Sequence, residues 1–389
     1  MRLVFITNIL TPYRITFYSL LNKTLVKRND RSKLFVYVMT DQLPLRSWTY
    51  DALRTDYTHL LRGKKFFINE HDIVINKNIK NELKESDPDI LIMAGSWTYP
   101  TVLCISIFRS FFLKRKTKLL FWYESHDNAS DYFRAKSLDK GAIKWLKQHF
   151  MSRFDGFCVP GDLAKLSVSR FVKDKPIIYL RNIVDGEYYL KANELRKEKK
   201  LLRVKYGLGA SSTIIFMPAR LIKLKGIEEL LSRISEDIIL KYNFEFVLAG
   251  EGDRKTMIER VAKDKGIDIK LLGYQKQDAI RDLLAASDFF CLSSLTDANP
   301  LSAVEAAWAG LPLIMSKYTG NYPELIDEGK NGFVFDPLNV ESVNTTILKA
   351  LTKDEMWKEE ARKTSVKIAK TTFDEKQVTE SFLNQVETL

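Results

Sequence analysis

LSSLTDANPLSAVEAAWAGLPLIMSK, residues 292–317, is the stretch whose reading decides the fold. It continues an apolar run, DFFCLSS (288–294), that reads as a buried strand feeding a polar loop. Asn299 is a good N-cap and Pro300 suits a first helical turn, while Gly310 and Pro312 stop the helix, so the spacing predicts a helix from about Pro300 to Ala309. LPLIMSK then reads as the next strand. The unpaired N–H groups and positive dipole end of such a helix suit a phosphate or diphosphate. Glu305 lies five residues beyond Pro300, roughly 7.5 Å along the axis, about one sugar ring away. With a diphosphate at the helix start, Glu305 is placed for the hydroxyls of an attached ribose, and Asp297, in the loop, for a second sugar on the other side.

The same alternation runs through the whole chain. RLVFIT, KLFVYV, DILIMAG, KLLFWYES, DGFCVPG and PIIYLRN are short apolar runs separated by segments long enough for helices. TIIFMPAR, FEFVLAG, IKLLGY, DFFCLSS, LPLIMSK and GFVFDP repeat the pattern after a charged interval at 186–207. Continuous apolar strands between helices belong in parallel sheets covered on both faces. The expected class is α/β, two Rossmann-like parallel-sheet domains facing across a cleft. Residues 1–184 form the first domain, 185–200 the linker and 201–370 the second domain. A C-terminal helix at 371–389 is expected to pack back toward the first.

At 389 residues the chain can fill two cores, and 45% hydrophobic with 28% charged residues excludes long disorder. No apolar run approaches a membrane span, and MRLVFITNIL reads as a first strand rather than a signal peptide. Cys104, Cys158 and Cys291 are widely spaced and each sits in an apolar run, which favours reduced core thiols in a cytoplasmic protein over disulfides or a metal site. Sixty-one Lys and Arg against 49 Asp and Glu give +12, suited to anionic small molecules, an anionic membrane or nucleic acid.

Ligands of doubly wound sheets bind outside the carboxyl ends of the strands. Arg220, Lys225 and Gly226 follow TIIFMPA, Gly250-Glu251-Gly252 ends FEFVLAG, and Asp297 follows DFFCLSS, so all belong on one rim. Arg220 can grip a phosphate with two parallel hydrogen bonds, and Lys225 adds a mobile charge. Neither GxxxxGK[ST] nor a GxGxxG after the first strand occurs, which argues against an ATPase or a dinucleotide oxidoreductase.

Taken in order, Arg220-x4-Lys225-Gly226, GEG at 250–252, Gly273-Tyr274, Asp297 with Glu305 eight positions on, AAWAGLPLI and the YPELI and NGFVF segments resemble retaining glycosyltransferases of the GT-B fold, family four. The first half resembles the family more loosely, through Asn8 and Pro12-Tyr13-Arg14, His126-Asp127, VPG at 159–161 and Asn182-Ile183-Val184-Asp185. The resemblance implies that Arg220 and Lys225 hold the donor diphosphate and stabilise it as it leaves, and that Glu305 holds the ribose. It implies that Asp297 contacts the transferred sugar and that Asn299, Pro300 and the amides of Leu301 and Ser302 complete the cradle. Gly250, Glu251, Gly252 and Tyr274 would line the donor side, His126 would lie near the reacting sugar, and Asn8, Tyr13 and Arg14 would shape the acceptor side. Two departures stand out: Asp297 replaces the family's usual Glu, and Ile9-Leu10-Thr11-Pro12 replaces a Gly-Gly loop.

A nucleotide-sugar carries its own leaving group, so the expected mechanism is same-face attack with retention, without a covalent intermediate on Asp297 or Glu305, a cofactor or a metal. The resemblance makes UDP the default nucleotide. CISIFRSFFLKRKTK (104–118) interleaves apolar residues with a basic end, as a helix on anionic lipid does. The acceptor is then a saccharide or lipid-linked saccharide in surface polysaccharide assembly, and the protein peripheral on the inner face of the membrane. The rival readings are a nucleotide-sugar epimerase of the same fold and a basic nucleic-acid-binding protein; for the latter the chain has no helix-turn-helix, zinc or RRM signature, so nucleic acid is not expected as a partner.

Overall fold

The computed structural model describes residues 1–41, 49–68, 71–128 and 141–389. Counting described residues only, they form two compact units, one of 1–125, 141–182 and 375–389, the other of 126–128 and 183–374.

The first unit is built on seven strands: β1 (Arg2–Thr7), β2 (Lys33–Val38), β3 (Thr58–Leu60), β6 (Ile90–Ala94), β7 (Lys118–Trp122), β8 (Gly156–Val159) and β9 (Ile177–Tyr179). They run parallel in the order β3-β2-β1-β6-β7-β8-β9. β4 (Gly63–Ile68) and β5 (His71–Asn76) form a separate antiparallel hairpin. The sheet carries Leu3, Val4, Phe5 and Ile6 without exposure on either face, as a strand covered on both sides requires. Phe5 and Phe17, from the Pro12–Arg28 helix, meet Phe382 of the Glu375–Glu387 helix with ring centroids 6.2 and 6.0 Å apart. Arg28 pairs with Glu387 at 2.9 Å and with Glu380, and Gln385 Oε1 accepts from the Tyr179 amide at 3.1 Å. The last helix of the chain is thus part of the first unit's core.

The second unit has six parallel strands: β10 (Thr213–Pro218), β11 (Phe244–Ala249), β12 (Ile269–Leu271), β13 (Phe289–Leu292), β14 (Leu313–Ser316) and β15 (Gly332–Phe335). Their order is β12-β11-β10-β13-β14-β15. Side chains alternate between faces: Ile214 and Phe216 enter one apolar core, Ile215 and Met217 the other. The strand order reverses between β10 and β13, so the helices that follow these two strands cover opposite faces of the sheet, Ile227, Leu230 and Leu231 in one core and Ala303, Val304 and Ala307 in the other.

Residues 185–200, expected as a linker, are folded onto this unit. Asp185 caps the Gly186–Leu190 helix by accepting from the Tyr188 amide at 2.9 Å, and Tyr189 and Ala192 enter the core. Arg196 donates to the carbonyls of Ser287 and Ala309 at 3.0 and 2.9 Å, satisfying oxygens that the ends of two helices leave open. Lys199 and Arg203 converge on buried Asp288, Arg203 at 2.7 Å, and the Ile214 amide donates to the same carboxylate at 2.8 Å. Burial works against the Asp288 charge, but Lys199, the Ile214 amide and Arg203 outweigh it and hold the carboxyl below its ordinary range. A charge-rich sequence reads as solvated, and here its charges are spent on buried acceptors.

Three further expectations need correction. Residues 104–118 do not form one helix: helices Pro100–Ile107 and Arg109–Phe112 are broken at Phe108, and 113–117 lead into β7. Cys104 is exposed, while Cys158 and Cys291 are buried thiols. The helix of the opening stretch is Leu301–Trp308, and Pro300, not Asn299, occupies the cap position without a side-chain cap bond.

Truncating Phe382 to alanine removes a fully buried ring that bridges two segments distant in sequence. The expected loss is about 3–5 kcal/mol of stability, read as a lower midpoint for the first unit's transition in urea or heat.

Candidate functional site

The carboxyl ends of the second unit's strands carry the predicted residues together. After β10 the chain turns through Arg220 and a short 3₁₀ helix, Lys223–Lys225, to Gly226. After β13 it passes Ser293 to Asp297 and enters the Leu301–Trp308 helix. The two loops are sewn to each other: the Leu295 amide donates to the Leu224 carbonyl at 2.9 Å, and the Ser293 hydroxyl to the Lys225 carbonyl at 2.8 Å. Gly226 has φ +60, and a Cβ there would lie 2.2 Å from the Ser293 carbonyl oxygen. Only glycine allows that conformation and that approach. The Gly250–Gly252 turn packs on the other side, with the Leu221 amide donating to the Glu251 carbonyl at 2.9 Å and the Arg254 amide to the Leu221 carbonyl at 2.9 Å.

Lys225 forms an ion pair with Asp297, both side chains being largely shielded. Arg220 is exposed and has no carboxylate partner among the described residues. The neighbouring cations are committed elsewhere, Arg254 to Glu228 at 2.6 and 2.7 Å and Lys223 to Glu229. Arg220 is therefore the cation of this loop without a carboxylate partner among the described residues, while Lys225 is held by Asp297 in the loop that leads to a helix whose leading N–H groups lack intrahelical acceptors. Asn321 Nδ2, buried, donates to the Pro300 carbonyl at 3.0 Å and fixes that turn. Tyr274 stands exposed at the end of the β12 loop.

His126 belongs to this unit, and both of its ring nitrogens are engaged. Nε2 meets the Asp297 carbonyl oxygen at 2.8 Å, and Nδ1 accepts from the Asn128 amide at 3.1 Å. These partners fit one neutral tautomer, protonated on Nε2. Burial lowers the imidazole below its ordinary value, more than the Asp297 carbonyl raises it. The Asp297 carbonyl also accepts from the Gly320 amide at 2.8 Å, and a Cβ on Gly320 would lie 2.7 Å from the His126 ring. His126 thus clasps the backbone of the Asp297 loop. Asn128, which in the sequence stands out only by following His126 and Asp127, donates to the Lys317 carbonyl.

Glu305 lies one and a half turns into its helix and is hydrogen-bonded to the Tyr189 hydroxyl, which also accepts from Gln277 Nε2 at 3.3 Å. Burial raises the Glu305 carboxyl to about 7, although Tyr189 acts in the opposite direction. Tyr189 and Gln277 gave no sequence signal, since Tyr189 lay in the supposed linker.

The expected acceptor-side residues lie in the first unit. Arg14 is buried: Nη2 pairs with Glu124 at 2.6 Å, Nη1 bonds to the Thr7 hydroxyl, and the guanidinium lies 5.0 Å from the Trp122 ring centre. Asn182 Nδ2 donates to the other Glu124 oxygen at 3.2 Å. Arg14 therefore braces the ends of β1, β7 and β9, with its charge paired to Glu124. Asn8 Oδ1 accepts from Arg14 at 3.4 Å, and Tyr13 is partly exposed on the first helical turn.

Comparison with known proteins matches residues 198–365 to the family model described as glycosyl transferases group 1. The matched segment covers less than half of the chain and is similar over that length to a group 1 glycosyltransferase domain. This segment holds all of Arg220, Lys225, Asp297 and Glu305. N-acetyl-alpha-D-glucosaminyl L-malate synthase of Bacillus anthracis is 26% identical over 184 residues, 47% of this chain and 46% of that protein. Alpha-monoglucosyldiacylglycerol synthase of Acholeplasma laidlawii is 26% identical over 150 residues, 38% of this chain and 37% of that protein. The chain thus matches less than half the length of these curated relatives. Among solved structures, Anabaena HepE in complex with UDP and glucose superposes with TM-score 0.71 over 100% of both chains at 16% identity. That likeness shows the fold, GT-B, with two parallel-sheet α/β domains.

The raised Glu305 carboxyl has a defined sign. Between its ordinary value, 4.5, and about 7 the native state holds a proton that the unfolded chain has released. The stability contributed by this group is full at lower pH and is lost as pH rises through that window. Thermal midpoints measured from about pH 5 to about pH 8 should fall less steeply for Glu305→Gln than for the parent; equal slopes would place the carboxyl elsewhere.

Proposed function

We propose that this protein is a group 1 glycosyltransferase that moves a sugar from a UDP-sugar to a saccharide or lipid-linked saccharide, with retention and without a metal, in surface polysaccharide assembly. The observation that supports the reading is the contact, at the reversal of strand order, between the Lys225 loop after β10 and the Asp297 loop that leads from β13 into the Leu301–Trp308 helix. The UDP named in the HepE complex supports the choice of nucleotide.

The donor diphosphate is held by Arg220, Lys225 and the amides of Leu301 and Ser302. As the sugar C1–oxygen bond breaks, its electron pair passes to the diphosphate, whose growing charge these fixed donors stabilise. The acceptor oxygen bonds to C1 from the same face and its proton goes to the departing phosphate oxygen, so no protein acid is needed. Lys225 turns from Asp297 to the diphosphate, exchanging one anionic partner for another. The freed Asp297 carboxylate then accepts from sugar hydroxyls, its loop held by His126 in a positioning role. Glu305 accepts from the ribose, and Asn299, Pro300, Gly250, Glu251, Gly252 and Tyr274 line the donor.

Two measurements test this. Product anomers read by NMR, with parent and Lys225→Ala enzyme supplied with UDP-sugar and a saccharide acceptor, should show retention in the parent. The variant should lose about 100- to 1000-fold in kcat, and an unchanged rate would remove Lys225 from the chemistry. UDP-sugar affinity should rise from about pH 6 to about pH 8 as Glu305 ionises, and this rise should vanish in Glu305→Gln.

We also propose contact with an anionic membrane through the first unit, where Ile107, Phe108 and Phe111 are exposed and Lys80 lies over the Phe111 ring. Arg109 and Lys114 are tied to Asp155 and Asp87, which leaves Arg115 and Lys116 as the freer charges. No helix among the described residues is long and apolar enough to cross a membrane. Flotation with anionic liposomes should recover the parent and not a Phe108→Ser/Phe111→Ser/Arg115→Gln/Lys116→Gln variant; a parent that stays at the bottom of the gradient ends this proposal.

A further inference from the structure

The Gly186–Leu190 helix is laid against the helix that carries Glu305, and a glycine makes the contact possible. A Cβ on Gly186 would lie 2.5 Å from the Trp308 indole, so a larger residue would push the two helices apart. Tyr189 lies three residues after Gly186, and Glu305, to which its hydroxyl is bonded, lies three residues before Trp308. The order of contacts is thus reversed along the two helices, with nearly one turn, about 4.5 Å, between them on each. The short helix is held on its other flank as well. The Tyr188 hydroxyl donates to Asp278 at 2.5 Å, and the Arg281 guanidinium stands 4.6 Å from the Tyr188 ring centre. Asn193 adds a tie beyond the helix, donating to the Leu190 carbonyl at 2.9 Å and to that of Trp308 at 3.4 Å. The Tyr189 ring, 2% exposed, is fixed by this packing.

The direction of the hydrogen bonds follows from the donors and acceptors present. Gln277 Nε2 donates to the Tyr189 oxygen at 3.3 Å, which leaves the phenol hydrogen for Glu305. Burial, and then the charge of Glu305, push the Tyr189 hydroxyl far above its ordinary value, so it stays a donor at neutral pH. Among the described residues no charged side chain is paired with Glu305, and Tyr189 is the group that opposes the effect of burial on its carboxyl. Glu305 itself remains partly exposed. A carboxylate has about four acceptor sites on its two oxygens, so one bond to Tyr189 leaves the others open to a ligand.

We propose that Tyr189 is a positioning residue for nucleotide recognition: it holds the Glu305 carboxylate in the orientation that accepts from the ribose hydroxyls, and so sets a preference for a ribonucleotide donor. This rests on the reading of Glu305 as the ribose-binding group. A glutamate side chain has several rotatable bonds whose freedom is lost on binding, and the bond to Tyr189 removes much of that freedom before the nucleotide arrives. The same bond favours the ionised carboxyl, the form that only accepts.

Calorimetric titration of the full chain with UDP and with 2′,3′-dideoxy-UDP, which lacks both ribose hydroxyls, tests the assignment. The two nucleotides share base and diphosphate, so the ratio of their affinities reads the ribose contacts. The parent should prefer UDP by about tenfold or more, the worth of one hydrogen bond to a charged acceptor. Tyr189→Phe should lose most of this preference while binding 2′,3′-dideoxy-UDP as the parent does. In a Glu305→Ala background, which has no preference left, Tyr189→Phe should change nothing further. From about pH 6 to about pH 8 the parent's preference should grow as Glu305 ionises, and in Tyr189→Phe this growth should move to higher pH, because the bond that lowers the carboxyl is gone. A preference lost in Glu305→Ala but intact in Tyr189→Phe would overturn the role of Tyr189 alone. Equal weakening toward both nucleotides in Tyr189→Phe would do the same, since it would make the tyrosine a packing residue. No preference in the parent, or one that survives Glu305→Ala, would overturn the ribose reading and this proposal with it.

Discussion

The contact between Gly226 and Ser293 is the constraint on which the candidate site rests. Two loops that leave neighbouring strands in diverging directions are brought back until one backbone touches another, which no residue with a Cβ permits at that distance. Lys225, one residue earlier, is thereby delivered to Asp297, and the hydrogen bonds of Leu295 and Ser293 lock the register. The chemistry of the rim follows from this backbone arrangement. Strand order sends the two crossovers to opposite faces, the close approach holds their first loops together, and the side chains carried there supply charge.

Buried charge performs a different task in each unit. In the first, Arg14 and Glu124 connect strand ends through an ion pair extended to Thr7 and Asn182. In the second, Asp288 gathers Lys199, Arg203 and a β10 amide, while Arg196 closes two helix ends. Such pairs add little net stability over apolar packing, but removal of one partner strands the other in a poor solvent. Their effect is to select one arrangement of segments that apolar contact alone would leave loosely specified.

Much of the architecture was visible in the sequence because parallel strands are apolar on both faces. FFCL, LIMS and FVLA announce themselves in that way, and their spacing leaves room only for crossover helices. The short β3, THL, and the hairpin strands had no such signature, being brief or partly polar. At the site, Arg220, Lys225, Asp297 and Glu305 were legible from their positions after strands or within the capped helix. The partners that decide how they behave were not: Tyr189 behind Glu305, Asn128 behind His126 and Glu124 beneath Arg14 are distant in sequence or unremarkable in type. That Arg14 turns inward, to Glu124 and Thr7, is likewise set by tertiary packing.

The return of the Glu375–Glu387 helix to the first unit fixes an order of events during synthesis. The ribosome releases the sheet of that unit early, but the Phe382 ring that seals its Phe5 and Phe17 surface emerges only after residues 183–374 of the second unit have been made. Until then a patch of aromatic side chains stays wet, and the amino-terminal half waits, incompletely closed, through translation of the entire second unit. Chain growth and domain completion therefore run out of step, and a polypeptide halted near Asp374 would leave its beginning, rather than its end, unfinished.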